Sequence, residues 1–162
     1  MQFNVNRFTA TLTIFLIFSV IQATAFQLDN LDTENQTIDV LYDFNQGDVA
    51  GFQFNISGLS ISGASGGSAA NSNFEVSSGT STVLGFSFSG NVVAQGSGLL
   101  TTLSYTDITE EEACISATIV TAPGGSSEYA SDGGVCISTA QPSFLTLGAF
   151  DASGSLEVMY SF

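Results

Sequence analysis

The sequence predicts an all-β protein, a β-sandwich with strands about every ten residues. Apolar residues recur with a period of two: Phe52, Phe54 and Ile56 are set against Gly51, Gln53 and Asn55, and Leu84, Phe86 and Phe88, then Leu99, Thr101, Leu103 and Tyr105, repeat the alternation. In an extended chain that spacing puts every second side chain on one face, toward a core. Between the runs stand Ser57-Gly58, Gly63-Ala64-Ser65-Gly66-Gly67, Ser77-Ser78-Gly79 and Ser89-Gly90-Asn91, which is turn chemistry. No helical period competes over a comparable length.

Residues 1–25 read as a secretory leader. A polar start containing Arg7 precedes the apolar run from Leu12 to Ile21, and Ala23-Thr24-Ala25 places small residues where a signal peptidase reads them, with cleavage expected after Ala25. The other reading, a retained membrane anchor, asks for a longer apolar run. Residues 26–36 form a polar, acidic entry segment. The sandwich is expected over residues 37–138, opening with Thr-Ile-Asp-Val-Leu-Tyr-Asp-Phe at 37–44. Strands follow at 49–56 and 59–62, then a small-residue loop at 63–73. Further strands are expected at 74–77, 82–89 and 99–105, with an acidic bend at 107–112. A strand at 114–121 sets Ile115, Ala117 and Ile119 against Cys114, Ser116 and Thr118, and a loop at 122–134 leads to a short strand at 135–138. Residues 139–154 read as a linker. The last eight residues, Ser155 to Phe162, echo Thr37 to Phe44, with only Asp43 against Ser161 out of character. They read as the first strand of a second repeat or as an edge strand docked on the first sandwich, the alternative being chance likeness between two alternating strands.

Charge sets the class of partner. The chain has 162 residues with 15 Asp and Glu, no His, and Arg7 as its one Lys or Arg. All the acids follow Ala25, so the chain beyond the leader carries carboxylates and no side-chain cation. Nothing there neutralises a phosphate, so nucleic acid is excluded as a natural partner, and so is an anionic membrane surface. Membrane insertion after cleavage is not expected. Of the 14 Phe, only Phe3, Phe8, Phe15 and Phe18 lie in the leader, which leaves the rest to build one core, with Phe52, Phe54, Phe86 and Phe88 expected to be buried together. Cys114 and Cys136 are the only cysteines. In a secreted chain such a pair is expected as a disulfide rather than as free thiols or a metal site. Asn35-Gln36-Thr37 and Asn55-Ile56-Ser57 match the N-glycosylation sequon, Asn55 from inside a strand.

The run Val49-Ala-Gly-Phe-Gln-Phe-Asn-Ile56, then Leu59-Ser-Ile-Ser-Gly-Ala-Ser-Gly-Gly67, Phe74-Glu-Val-Ser-Ser-Gly-Thr-Ser-Thr-Val-Leu-Gly-Phe-Ser-Phe-Ser-Gly90 and Gly96-Ser-Gly-Leu-Leu-Thr-Thr-Leu-Ser-Tyr105 resembles the cohesin-like modules of extracellular proteins. The likeness covers about residues 37–136. It implies a jelly-roll β-sandwich of about nine strands, akin in fold to cellulose-binding modules. It also implies a non-catalytic docking or adhesion role; cellulosomal cohesins bind their dockerins through one sheet face.

The inventory argues against catalysis. Without His, Lys or a cysteine thiolate, the usual general bases and nucleophiles are missing, and a serine needs a base beside it. Glu110, Glu111 and Glu112 are adjacent, so they diverge rather than face one cleft. No catalytic residue and no cofactor are assigned. Asp43, Asn45 and Asp48 place oxygen ligands before and after Gly47 and form a weak calcium candidate, the competing reading being an ordinary turn; Asp107 with Glu110 is weaker still. For sugar stacking the absence of Trp leaves four tyrosines, Tyr42, Tyr105, Tyr129 and Tyr160. Of these Tyr129, between the cysteines, is the ring expected to be open to solvent. The expected function is therefore a secreted, extracellular, non-catalytic module for protein–protein or matrix adhesion. The alternatives are a carbohydrate-binding module and a structural spacer of a larger surface protein.

Overall fold

A computed structural model of the chain describes residues 24–125, 127–140, 146–147 and 158–159, and the leader lies outside them. The elements run β1 (Thr24–Asp32), β2 (Thr37–Phe44), β3 (Gly51–Ser57), β4 (Leu59–Ser65), α1 (Gly67–Asn71), β5 (Glu75–Ser78), β6 (Thr82–Phe86), β7 (Gly96–Ile108) and β8 (Glu112–Thr121). Five two-residue strands follow: β9 (Glu128–Tyr129), β10 (Ser131–Asp132), β11 (Ile137–Ser138), β12 (Thr146–Leu147) and β13 (Val158–Met159). Two sheets form a β-sandwich. One has the order β10-β1-β2-β7-β4, the other β11-β8-β3-β6-β5 with β9 beside β8. Every neighbour is antiparallel except β10 on β1.

The core lies between the sheets and is aromatic. Phe26 of β1 meets Phe54 of β3 at 5.2 Å between ring centroids and Phe44 of β2 edge-on at 5.9 Å. Phe52 stacks on Phe54 and on Phe74, each at 6.0 Å. Phe52, Phe54 and Ile56 are buried, as their alternation requires, and Ile38, Val40, Leu103 and Tyr105 face them from the other sheet. Thr101 is buried too, its hydroxyl satisfied by the Ser65 carbonyl at 3.1 Å. Cys114 and Cys136 form the expected disulfide, tying β8 to the segment that enters β11.

Several expectations change. The entry segment 26–36 is largely strand β1, so the sandwich begins before residue 37. Phe26 and Leu28 point inward while Gln27 and Asp29 point out, and residues 33–36 are the turn into β2. The small-residue loop is the end of β4 followed by the single-turn helix α1, whose Ala69 is buried at one end of the core. Gly67 is needed there: its φ is +67°, and a Cβ would overlap the Leu100 carbonyl.

The phase of β6 is opposite to that expected. Phe52 sits directly across from Gly85, and Phe54 across from Val83. Val83 and Gly85 are the inward residues, and the Phe52 ring occupies the space a side chain at 85 would need. Leu84 and Phe86 therefore point outward, and Phe88, beyond the strand, is 86% exposed. Phe86 and Phe88 do not join the buried Phe52–Phe54 pair.

In β8 a bulge resets the face. Gln53 pairs with Ile119 but Asn55 with Ser116, one residue more on β8 than on β3, and Ala117 takes a left-handed φ of +48°. Ile115 lies inside before the bulge and Val120 after it, which turns Ile119 out. A similar shift between Val40 and Leu41 breaks the β2–β7 ladder, so Leu100 is buried and Leu99 only half-buried.

Val158–Met159 pairs antiparallel with Thr146–Leu147 in a separate two-stranded sheet. Among the described residues no ladder joins it to an edge of the sandwich. The rest of the 139–154 linker beyond residue 140 and of the 155–162 repeat lies outside the described residues.

Candidate functional site

The outer face of the six-stranded sheet gathers what the core leaves out. Gln53 stands between Leu84 on β6 and Ile119 on β8, and one step along Gly51 stands between Phe86 and Thr121. Leu84 and Ile119 are 40% and 38% exposed. Gly51 has no side chain to fill the row, so a shallow groove of about 410 Å³ runs between Leu84, Phe86, Ile119 and Thr121, with Gly125 at its end. Phe88 turns its ring edge-on to Phe86 at 4.8 Å and extends the apolar strip past the strand end. Carboxylates border it: Glu75 lies beside Phe86 across β5, and Glu128 beside Thr121 across β9. Asn55, on the same outward row of β3, accepts a hydrogen bond from the Thr82 hydroxyl at 2.9 Å.

Large apolar groups aligned on an exposed sheet face are unusual for a surface with no partner. Nothing in the strip can do chemistry. It holds no nucleophile with a base and no converging acids, and its polar members are Gln53, Thr121 and backbone.

The other residues singled out in the sequence fall elsewhere. Asp43 is exposed at the end of β2, opposite Ala25 and Ser97. Asp48 uses Oδ1 to accept the Gln95 N–H at 2.9 Å, and the Asn45 carbonyl accepts from Gln95 Nε2 at 2.9 Å. The segment is a tied crossing between sheets: β2 and β3 belong to different ones, and Val49 bridges to Val93. Among the described residues, the one grouping of three acidic or sulfur ligand atoms is Glu112, Cys114 and Cys136, whose two sulfurs are already bonded to each other.

Tyr129 is not the open ring expected. It is half-buried against the core and under Gly47, and its hydroxyl donates to the Asp48 carbonyl at 3.2 Å. It props the crossing loop. Tyr105 is buried and donates to the Asp32 carbonyl at 3.2 Å; burial, and then the Asp32 charge, raise its pKa above the ordinary phenol value. Tyr42 is half-buried and donates to the Ser68 hydroxyl at 3.2 Å, while Tyr160 lies outside the described residues. Glu110 and Glu111 sit in an exposed bend, and Asp107 and Glu112 at the strand ends beside it.

Asn35 is exposed in the β1–β2 turn. Asp32 organises that turn, accepting the N–H groups of Glu34 and Asn35 on Oδ1 at 2.9 and 2.8 Å, and Asn35 Nδ2 on Oδ2 at 2.7 Å. These bonds, those from Asn35 foremost, hold the Asp32 carboxyl below the usual carboxylate range.

Sequence reasoning missed Leu84, Phe86, Phe88 and Ile119 as a surface because it assigned them to the core or left their side open. The signal that could have found the first three was Gly85: a glycine in a central strand marks a place where another group approaches closely. No family model matches the chain, and no curated protein matches it. No helix among the described residues is long and apolar enough to cross a membrane, which says nothing of strands.

Proposed function

We propose that the chain is a secreted, non-catalytic, cohesin-like module that binds another protein through the outer face of β8-β3-β6-β5. The carrying observation is the apolar strip of Leu84, Phe86, Phe88 and Ile119 on a sheet face that no other element covers among the described residues. The disulfide agrees with an oxidising, extracellular setting. The likeness of the central stretch to cohesin-like modules agrees with the use of a sheet face.

Charge defines the partner. Beyond the leader the chain presents 15 carboxylates and no Lys, Arg or His, so two copies repel, and the fitting surface carries Lys or Arg around an apolar centre. A tyrosine platform for sugars is not supported, since Tyr129 is engaged in the fold.

The test is a pull-down from the native extracellular fraction with three baits: the parent, the pair Leu84→Asp with Phe88→Ser, and Gln27→Glu on the other sheet. The reading requires one band retained by the parent and by Gln27→Glu and lost with the double variant. Equal retention by all three refutes the face, and glycan-array binding that survives the double variant moves the function to carbohydrate.

A further inference from the structure

The two sequons occupy structurally opposite places. Asn55 lies in the middle of β3, hydrogen-bonded into sheet on both sides, with Thr82 and Ser116 as its direct neighbours and its Oδ1 held by the Thr82 hydroxyl. Its Ser57 is likewise in the ladder, opposite Cys114. Asn35 projects from a turn, exposed, with Gln36 at a left-handed φ of +54° and Thr37 only entering β2. The tip is tied as well as open: the Gln36 carbonyl accepts the Tyr105 N–H at 2.9 Å, and Asp32 accepts from the backbone and side chain of Asn35.

We infer that Asn35, and not Asn55, is an N-glycan acceptor when the chain passes through a eukaryotic secretory pathway. The modification joins Asn35 Nδ2 to the anomeric C1 of a lipid-pyrophosphate-linked oligosaccharide. The C1–O bond to the pyrophosphate breaks, the lipid pyrophosphate leaves, and one amide proton passes to a base of the transferase. The linked amide keeps one N–H, which is what the bond to Asp32 needs, so the turn is compatible with the glycan. A sugar at Asn55 would have to stand at a half-buried position in the middle of a central strand, with paired strands on both sides. The glycan at Asn35 belongs to the hairpin tip of the five-stranded sheet and leaves the outer face of the six-stranded sheet open. The inference does not depend on what that face binds.

The experiment secretes the full chain, behind a host signal sequence, from a eukaryotic cell line. The product is treated with an amidase that converts glycosylated Asn to Asp in heavy-oxygen water and is then mapped by peptide mass. The label is expected at position 35 and absent at 55. Asn35→Gln should migrate as the deglycosylated parent, and Asn55→Gln as the glycosylated one. Secreted parent protein with Asn35 unlabelled, or with Asn55 labelled to the same extent, overturns the assignment without reference to either variant.

Discussion

The two outward faces of the sandwich are built from strands of the same kind and differ in chemistry. On the five-stranded sheet Asp29 stands directly across from Asp39, whose carboxylate accepts from Asn30 Nδ2 at 3.1 Å and from the Thr102 hydroxyl at 2.7 Å. Gln27, Asp43 and Ser97 continue that surface, with half-buried Leu41 and Leu99 paired beside Gln27. On the six-stranded sheet the same outward positions hold Leu84, Phe86 and Ile119 around a side-chain-free Gly51. Like charges facing across an antiparallel pair cost stability unless neutral donors share them, as Asn30 and Thr102 do here. One face thus keeps its carboxylates in water and the other carries the larger apolar strip, and that difference is the ground for the proposed docking surface.

The largest effect separates the inside of the apolar sheet from its outside. Phe54→Ala removes a fully buried ring that Phe26 and Phe52 pack against, and should cost about 3–5 kcal/mol. Phe88→Ala should cost no more than ~0.5 kcal/mol, as a surface change. Urea melts of the two variants check this; equal losses would mean that Phe88 is a core residue after all. Reduction of Cys114–Cys136 comes next. It reopens a link across a sequence separation of 22 and should lower stability by roughly 3 kcal/mol, read from melts with and without reductant after non-reducing mass spectrometry has shown no alkylatable thiol.

Binding comes third. Once the partner is in hand, Phe88→Ala should weaken it by about 1–2 kcal/mol or more, while Asp39→Asn on the polar face leaves it within ~0.5 kcal/mol. Added salt should slow association rather than speed dissociation, because the carboxylates act as a field around an apolar contact. Surface plasmon resonance over a salt series measures both. If Asp39→Asn weakens binding as much as Phe88→Ala, the contrast between the faces has no functional meaning.

Much of this was legible in the sequence. The alternation of Phe52, Phe54 and Ile56 fixes the inner face of β3 because no bulge interrupts it on that side, and the cysteine pair needed only a count and a compartment. The apolar strip is hidden by a symmetry: in Thr82 to Phe88 both sets of alternate residues contain apolar groups, and periodicity cannot choose between Val83-Gly85 and Leu84-Phe86-Phe88. The tie is broken from another strand, by the Phe52 ring over Gly85. Ile119 was lost to the Ala117 bulge, since one inserted residue moves every later side chain to the other face. Strand β1 reads as an entry segment because Phe26, Leu28 and Leu31 keep no steady period of two and stand among polar and acidic residues, and its pairing with β2 comes from tertiary context.

The smallest predicted effect lies at the tip of the polar sheet, where stability depends on protons rather than on packing. The folded Asp32 carboxyl is held below its unfolded value, so its contribution is fully present above the ordinary carboxylate pKa of about 3.9 and is lost as pH falls through the lowered folded value. Asp32→Asn removes the charge while its carbonyl can still accept the N–H groups of Glu34 and Asn35; the bond from Asn35 Nδ2 to Oδ2 is lost with the charge. The variant should be slightly less stable than the parent at neutral pH, and the two should converge in acid. Tyr105 supplies a second readout of opposite sign. Its folded pKa is raised, so the neutral phenol's contribution is complete below about pH 10 and lost as pH rises through the raised value. Burial is the first cause and survives the substitution; the Asp32 charge is the second and does not. Ultraviolet titration should therefore show one phenol of Asp32→Asn ionising at lower pH than in the parent but still above an ordinary tyrosine. An unchanged tyrosine titration would mean that the Asp32 charge does not reach the Tyr105 phenol, leaving the hydroxyl's bond to the Asp32 carbonyl as the contact between the two residues.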